Sequence, residues 1–169
     1  VHLYIDSPFP AITVERLVGS RIFLRRWKKG VSQYRSVVFS RKDSGIDSFD
    51  AMKGKIIAFE EPFSTSSYFL PKAMISSQGH SLVETSPGSL VPDNRIGYTF
   101  SDDDQNSMVW VLRKKVPVAA MSEQSFRKLA KKRLGDLKVI GTSAWVPRHV
   151  VSHSPGLSSQ QVKVIKAVL

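Results

Sequence analysis

The sequence predicts an α/β fold with a largely parallel sheet, and two observations carry that prediction. Short β-rich runs alternate with helical patterns along the whole chain, as a layered α/β architecture requires. One of those runs, Lys55-Ile56-Ile57-Ala58-Phe59, is apolar without alternation, which suits a strand covered on both faces.

Taken in order, residues 3–5 read as a short strand ending at Asp6, and Ser7-Pro8-Phe9-Pro10 as a turn. Thr13 to Gly19 has helical spacing with a glycine stop, and Arg21 to Trp27 is a basic, partly apolar strand closed by Lys28-Lys29-Gly30. Tyr34 to Ser40 is β-rich, Arg41 to Gly45 a loop, and Asp47 to Met52 a helical turn. After the apolar strand comes the loop Glu60–Ser67, then a helix from Tyr68 to Ser76 and a weak strand at Val83. Ile96 to Phe100 is a strand, and Ser101 to Asp104 opens a helix through Leu112. Val116 to Met121 and Leu137 to Gly141 are strands flanking an amphipathic basic helix, Glu123–Leu134. His149 to Ser152 is the last strand, and Ser158 caps a final helix, Ser159–Leu169.

Two extended segments, Tyr34–Ser40 and Trp145–Ser152, bracket the middle of the chain, which is how a two-lobed protein is built. The chain has 169 residues, enough for one domain or two small lobes, and 41% hydrophobic residues, enough for a core. It has no cysteine, which excludes disulfides, thiolate metal sites and cysteine nucleophiles. No apolar run approaches the ~20 residues that span a bilayer. Val1 opens directly into strand-like sequence, so residues are expected upstream of it. Twenty-five basic against 14 acidic residues give a net charge of +11, which attracts anionic partners.

The chemistry concentrates where a strand hands over to a helix, at Ser64-Thr65-Ser66-Ser67. One hydroxyl there is explained by capping; four in a row also suit an anion, held by hydroxyls and by the free N–H groups of a helix N-terminus. Both readings stay open on composition alone.

The ordered set Arg41-Lys42-Asp43-Ser44-Gly45-Ile46, Met52-Lys53-Gly54-Lys55 with its apolar strand, and Ser64-Thr65-Ser66-Ser67-Tyr68 with Leu70-Pro71 resembles the phosphonate-type substrate-binding proteins of ABC transporters. The likeness runs from Tyr34 onward, more weakly through Leu137–Pro147 and the terminal helix. It implies a type II periplasmic-binding fold. Residues 1–36 and 146–169 would form part of a first lobe, residues 37–145 a complete second lobe, and segments near 34–40 and 145–152 the crossings. It further implies that Ser64, Thr65 and Ser66 hold a small oxyanion, with Tyr34 and Ser7 facing the same cleft and Ser67, Asp104 and Trp145 as further candidates. Where phosphonate binders carry a His and then an Asp, this chain has Asp104 and Pro117. A partner for a ligand's ammonium is therefore missing, and Asp103 and Asp104 are read as helix caps. The expected role is capture of phosphonate, phosphate or a related anion for import, at the periplasmic or extracellular face, with a membrane permease as partner. The alternative is a ligand-sensing domain, anchored to the membrane within a longer protein, with a signalling partner.

Other classes find little support. The four histidines have no metal-ligand spacing, no nucleophile elbow or phosphate-binding glycine loop is present, and Ser64–Ser67 has no nearby base. No enzyme activity, cofactor or metal is expected. The basic run Arg127–Arg133 lacks any accompanying nucleic-acid-binding motif, so no nucleic-acid partner is expected.

Overall fold

The structure is a computed structural model and describes residues 2–169. The chain forms two compact units, Arg35–Ala144 and a smaller one made of Val1–Tyr34 and Trp145–Leu169.

In the smaller unit, β1 (Leu3–Asp6), β2 (Arg21–Arg26) and β11 (His149–His153) form a sheet in the order β1-β11-β2, antiparallel throughout. Two helices accompany it, α1 (Pro8–Val18) and α5 (Ser159–Val168). The expected turn at residues 7–10 is instead the start of α1. Pro8 takes the first helical position, where a missing N–H costs nothing, and Gly19 ends the helix in the left-handed region at φ 70°. Ser158 and Gln161 close a reciprocal capping box on α5. The run Tyr34–Ser40 is broken at Arg35. Gln33–Tyr34 forms β3, paired with β10 (Val146–Pro147), and Ser36–Arg41 forms β4.

The larger unit is built on a six-stranded sheet. Its strands are β4, β5 (Ile56–Phe59), β6 (Ser81–Glu84), β7 (Arg95–Phe100), β8 (Val118–Ser122) and β9 (Leu137–Thr142), in the order β6-β7-β5-β8-β4-β9. The first four strands in that order are parallel; β4 runs antiparallel to both β8 and β9. Alternate residues serve opposite faces. Val37, Phe39, Ile56, Ala58, Ala119 and Met121 face one cluster, with residues of α3 (Asp104–Leu112) and α4 (Glu123–Leu129). Val38, Ile57, Phe59, Val118 and Ala120 face the other, with Ile75 of α2 (Leu70–Ser77) and with Phe49 and Met52. Because both faces are buried there, the central strands β5 and β8 read as nearly continuous apolar runs.

The basic helix expected over 123–134 stops at Leu129. Beyond the buried Ala130 the next three residues are charged, and Leu134 is exposed, so no apolar face rewards further turns. Continuation would also stack Arg127 on Lys131 and Lys128 on Lys132, like charges at i,i+4.

Arg35 clamps the start of α4: its Nε and a terminal nitrogen donate to Glu123 at 2.7 and 3.1 Å. Arg127 donates to the same carboxylate at 2.8 Å. These donors, Arg35 first, hold the Glu123 carboxyl down at about 2 against a small opposing effect of burial. Glu123→Gln is expected to cost ~1–2 kcal/mol, because a charge-assisted pair is lost. Ionised Glu123 stabilises the fold above the unfolded carboxyl range near 4.5, and that contribution is lost as pH falls through about 2. The melting temperatures of wild type and variant should therefore differ at pH 7 and converge as pH falls from 4.5 toward 2. A gap that stays constant over that range would show that the pairing contributes nothing.

Candidate ligand-binding site

Phe59 ends β5, and the chain leaves the sheet through Glu60 and Glu61 to reach the hydroxyl run. A helix begins at Thr65, three residues earlier than the periodicity suggests, as a wide π-turn over Thr65–Phe69 that continues into α2. Phe69 N–H donates to Ser64 O at 3.0 Å, and Leu70 N–H donates to Thr65 O, both spanning five residues. Pro71 gives the reason. In an α-helical register its ring would press on the carbonyl of Ser67 and offer it no N–H. Here Ser67 O accepts from Glu60 N–H at 3.3 Å instead. Single π-turns of this kind recur at functional sites.

All four hydroxyl residues are buried, at 9% exposure for Ser64, 2% for Thr65, 8% for Ser66 and 1% for Ser67. Ser64 Oγ caps the turn by accepting from Ser67 N–H at 3.1 Å. Ser67 Oγ donates to Asp104 Oδ1 at 2.9 Å. The helix N-terminus adds backbone N–H groups and a positive dipole end, a neutral setting for an anion.

The sequence reading of Asp104 as a cap is corrected. Asp103 is the residue that caps α3, accepting from Asn106 N–H at 2.6 Å. One N-cap satisfies that geometry, so Asp104 falls inside the first turn and its carboxylate is available to Ser67. Glu60, which the sequence reading passed over as loop, stands beside the same hydroxyls. Burial pushes its carboxyl above the usual range, and the charge of Asp104 pushes it further; hydrogen bonding from Ser64 offsets part of this, and Glu61 adds to it. Nothing in the local sequence separates it from Glu61 beside it; its burial does.

Ser64–Ser67 and Asp104 thus come together in the larger unit. Ser7, Tyr34 and Trp145 belong to the smaller one. Ser7 precedes α1, and both its N–H and its hydroxyl are directed to Asp6 Oδ1, at 2.6 and 3.3 Å. Tyr34 is 2% exposed, with the Arg148 guanidinium 4.4 Å from its ring centre. Trp145 is more than half exposed. The His149 Nε2 lies 3.4 Å from Lys28 Nζ, and burial first, then the charges of Lys28 and Arg148, push the imidazole below its usual pKa. Among the described residues no cluster of His, Asp or Glu could hold a metal ion, and no helix is long and apolar enough to cross a membrane.

A family described as the periplasmic phosphonate substrate-binding proteins of ABC transporters matches residues 1–169. The chain belongs to that family. No curated protein matches it. Among solved structures, XAC2383 from Xanthomonas citri, bound to ATP, superposes with a TM-score of 0.92 at 23% identity over 100% of this chain and 63% of its own. PhnD1 from Prochlorococcus marinus, in complex with methylphosphonate, gives 0.69 at 15% identity, over 99% and 63%. A binding-protein component of an ABC phosphonate transporter from Pseudomonas aeruginosa (PA3383) gives 0.65 at 22%, over 99% and 55%. These likenesses show the type II periplasmic-binding fold, and the chain spans less than two thirds of each of these structures.

Proposed function

We propose that this member of the phosphonate-binding family seats a small oxyanion, a phosphonate, phosphate or relative, on the π-turn at Thr65 and Ser66. The protein containing it would deliver that ligand to a membrane permease from the periplasmic side. The observation that carries the reading is the buried hydroxyl turn: four hydroxyl residues in a row, Ser64–Ser67, at a helix N-terminus widened by Pro71. Residues 37–145 are proposed as the complete lobe and residues 1–36 with 146–169 as part of the other. A second reading, a larger phosphorylated ligand, is favoured by XAC2383, whose structure holds ATP. It keeps the same turn as the seat for phosphate.

The test is calorimetric titration of the full-length protein with methylphosphonate, phosphate and ATP, beside Thr65→Ala, Ser66→Ala and the double variant. Each lost donor should weaken binding by roughly tenfold or more, since an unmatched polar contact costs ~1–3 kcal/mol. Ligand at a hundred times its Kd should stabilise wild type by ~2.7 kcal/mol. Binding that is unchanged in the double variant would remove the ligand from this turn.

A further inference from the structure

Resting on that reading, we infer that Glu60 and Asp104 make the site select oxyanions that still carry a proton, hydrogen phosphonates and hydrogen phosphates, over fully ionised sulfonates and sulfate. The hydroxyl turn lies next to two carboxylates, Asp104 at 2.9 Å from Ser67 Oγ and Glu60 beside the Ser64 and Ser67 hydroxyls. The charged groups that act on Glu60 are Asp104 from α3 and Glu61 from its own loop, all of them acids. No cation on those elements neutralises the pair, so an arriving anion adds negative charge to a site that already carries it.

Ionised carboxylates only accept hydrogen bonds. A sulfonate or sulfate is also acceptor-only at any ordinary pH, and it meets them with repulsion and nothing to donate. A phosphonate or phosphate keeping one P–OH carries less charge and brings the one group the carboxylates can use. The hydrogen of Ser67 is already given to Asp104, so it cannot substitute. Discrimination of this kind comes from an element unfavourable to the wrong ligand as much as from one favourable to the right one.

The experiment titrates the full-length protein with methylphosphonate and, as its fully ionised counterpart, methanesulfonate, at pH 6 and pH 9. Wild type should bind methylphosphonate at least roughly tenfold tighter than methanesulfonate at pH 6, with that affinity falling at pH 9 as the ligand loses its proton. Glu60→Gln and Asp104→Asn keep size and the ability to accept from serine while removing charge and adding a donor. Each should strengthen methanesulfonate binding and narrow the ratio by about tenfold. A wild-type ratio near one, or a ratio unmoved in both variants, overturns the inference while leaving the hydroxyl turn as the seat. If neither anion binds at either pH, the reading of the turn itself fails and the selectivity argument falls with it.

Discussion

Phe59→Ala is expected to lower stability by ~3–5 kcal/mol, the range for removing a large buried aromatic side chain. For a chain of this size that corresponds to a fall in melting temperature of roughly 10 °C. The ring is fully buried and packs against Tyr68 and Tyr98 with centroids 5.3 and 5.7 Å away. Tyr68 lies inside the π-turn and also meets Tyr98 and Phe100, so the aromatic cluster anchors the turn to the sheet. Phe59 O further accepts from Ser101 N–H and from the Ser101 hydroxyl at 2.9 and 3.1 Å, tying the end of β5 to the loop before α3. A second effect follows: oxyanion affinity should drop at temperatures where the variant is still folded, because Thr65 and Ser66 lose the packing that holds their turn. Phe59→Leu, which keeps most of the volume, should restore most of both. Loss of stability with unchanged affinity would mean that the turn is held by its own hydrogen bonds and Pro71, and that the aromatic cluster serves the core alone.

What could be read in the sequence, and what could not, divides along a physical line. Ile56–Phe59 was legible because a strand buried on both faces must be apolar at every position, and the composition of four residues states that directly. The final helix was legible because Ser158 and Gln161 close its cap within one turn. Residues that depend on what lies across the fold were misread. Ser7–Pro10 carries turn residues, yet two prolines are equally suited to a first helical turn, and α1 lies against the small sheet. The helix after Ser122 was extended too far because its charges are periodic, whereas only Phe126, Leu129 and Ala130 have a core to meet. Of the site, the hydroxyls were visible as a run, and the family likeness singled them out. Their electrostatic surroundings were not, because Asp104 reaches Ser67 across 37 positions of sequence and Glu60 is distinguished only by burial.

The second large effect is expected at Gly141, on the edge strand β9. A Cβ placed there would lie 2.5 and 2.8 Å from two ring carbons of Phe49 and 3.3 Å from the Met74 methyl group. Gly141 pairs with Val38 where the register slips, leaving Ile140 as the extra residue of a bulge. The ring cannot simply retreat. Phe49 is 5% exposed and packs in the cluster with Met52, Ile57 and Ile75, and its ring meets the edge of His80. Gly141→Ala should therefore cost ~2–3 kcal/mol, the upper part of the range for overpacking a core. Phe49→Leu alone destabilises by opening space, but in the Gly141→Ala background it should cost less or even recover stability. That coupling should amount to about 1 kcal/mol or more in a double-mutant cycle read by chemical denaturation. Strict additivity would show that the strain is relieved elsewhere. Because β9 is hydrogen-bonded on one side only, the available relief is for it to shift away from β4. Faster amide exchange confined to residues 137–142 would then identify the edge strand, rather than the Phe49 ring, as the part that yields.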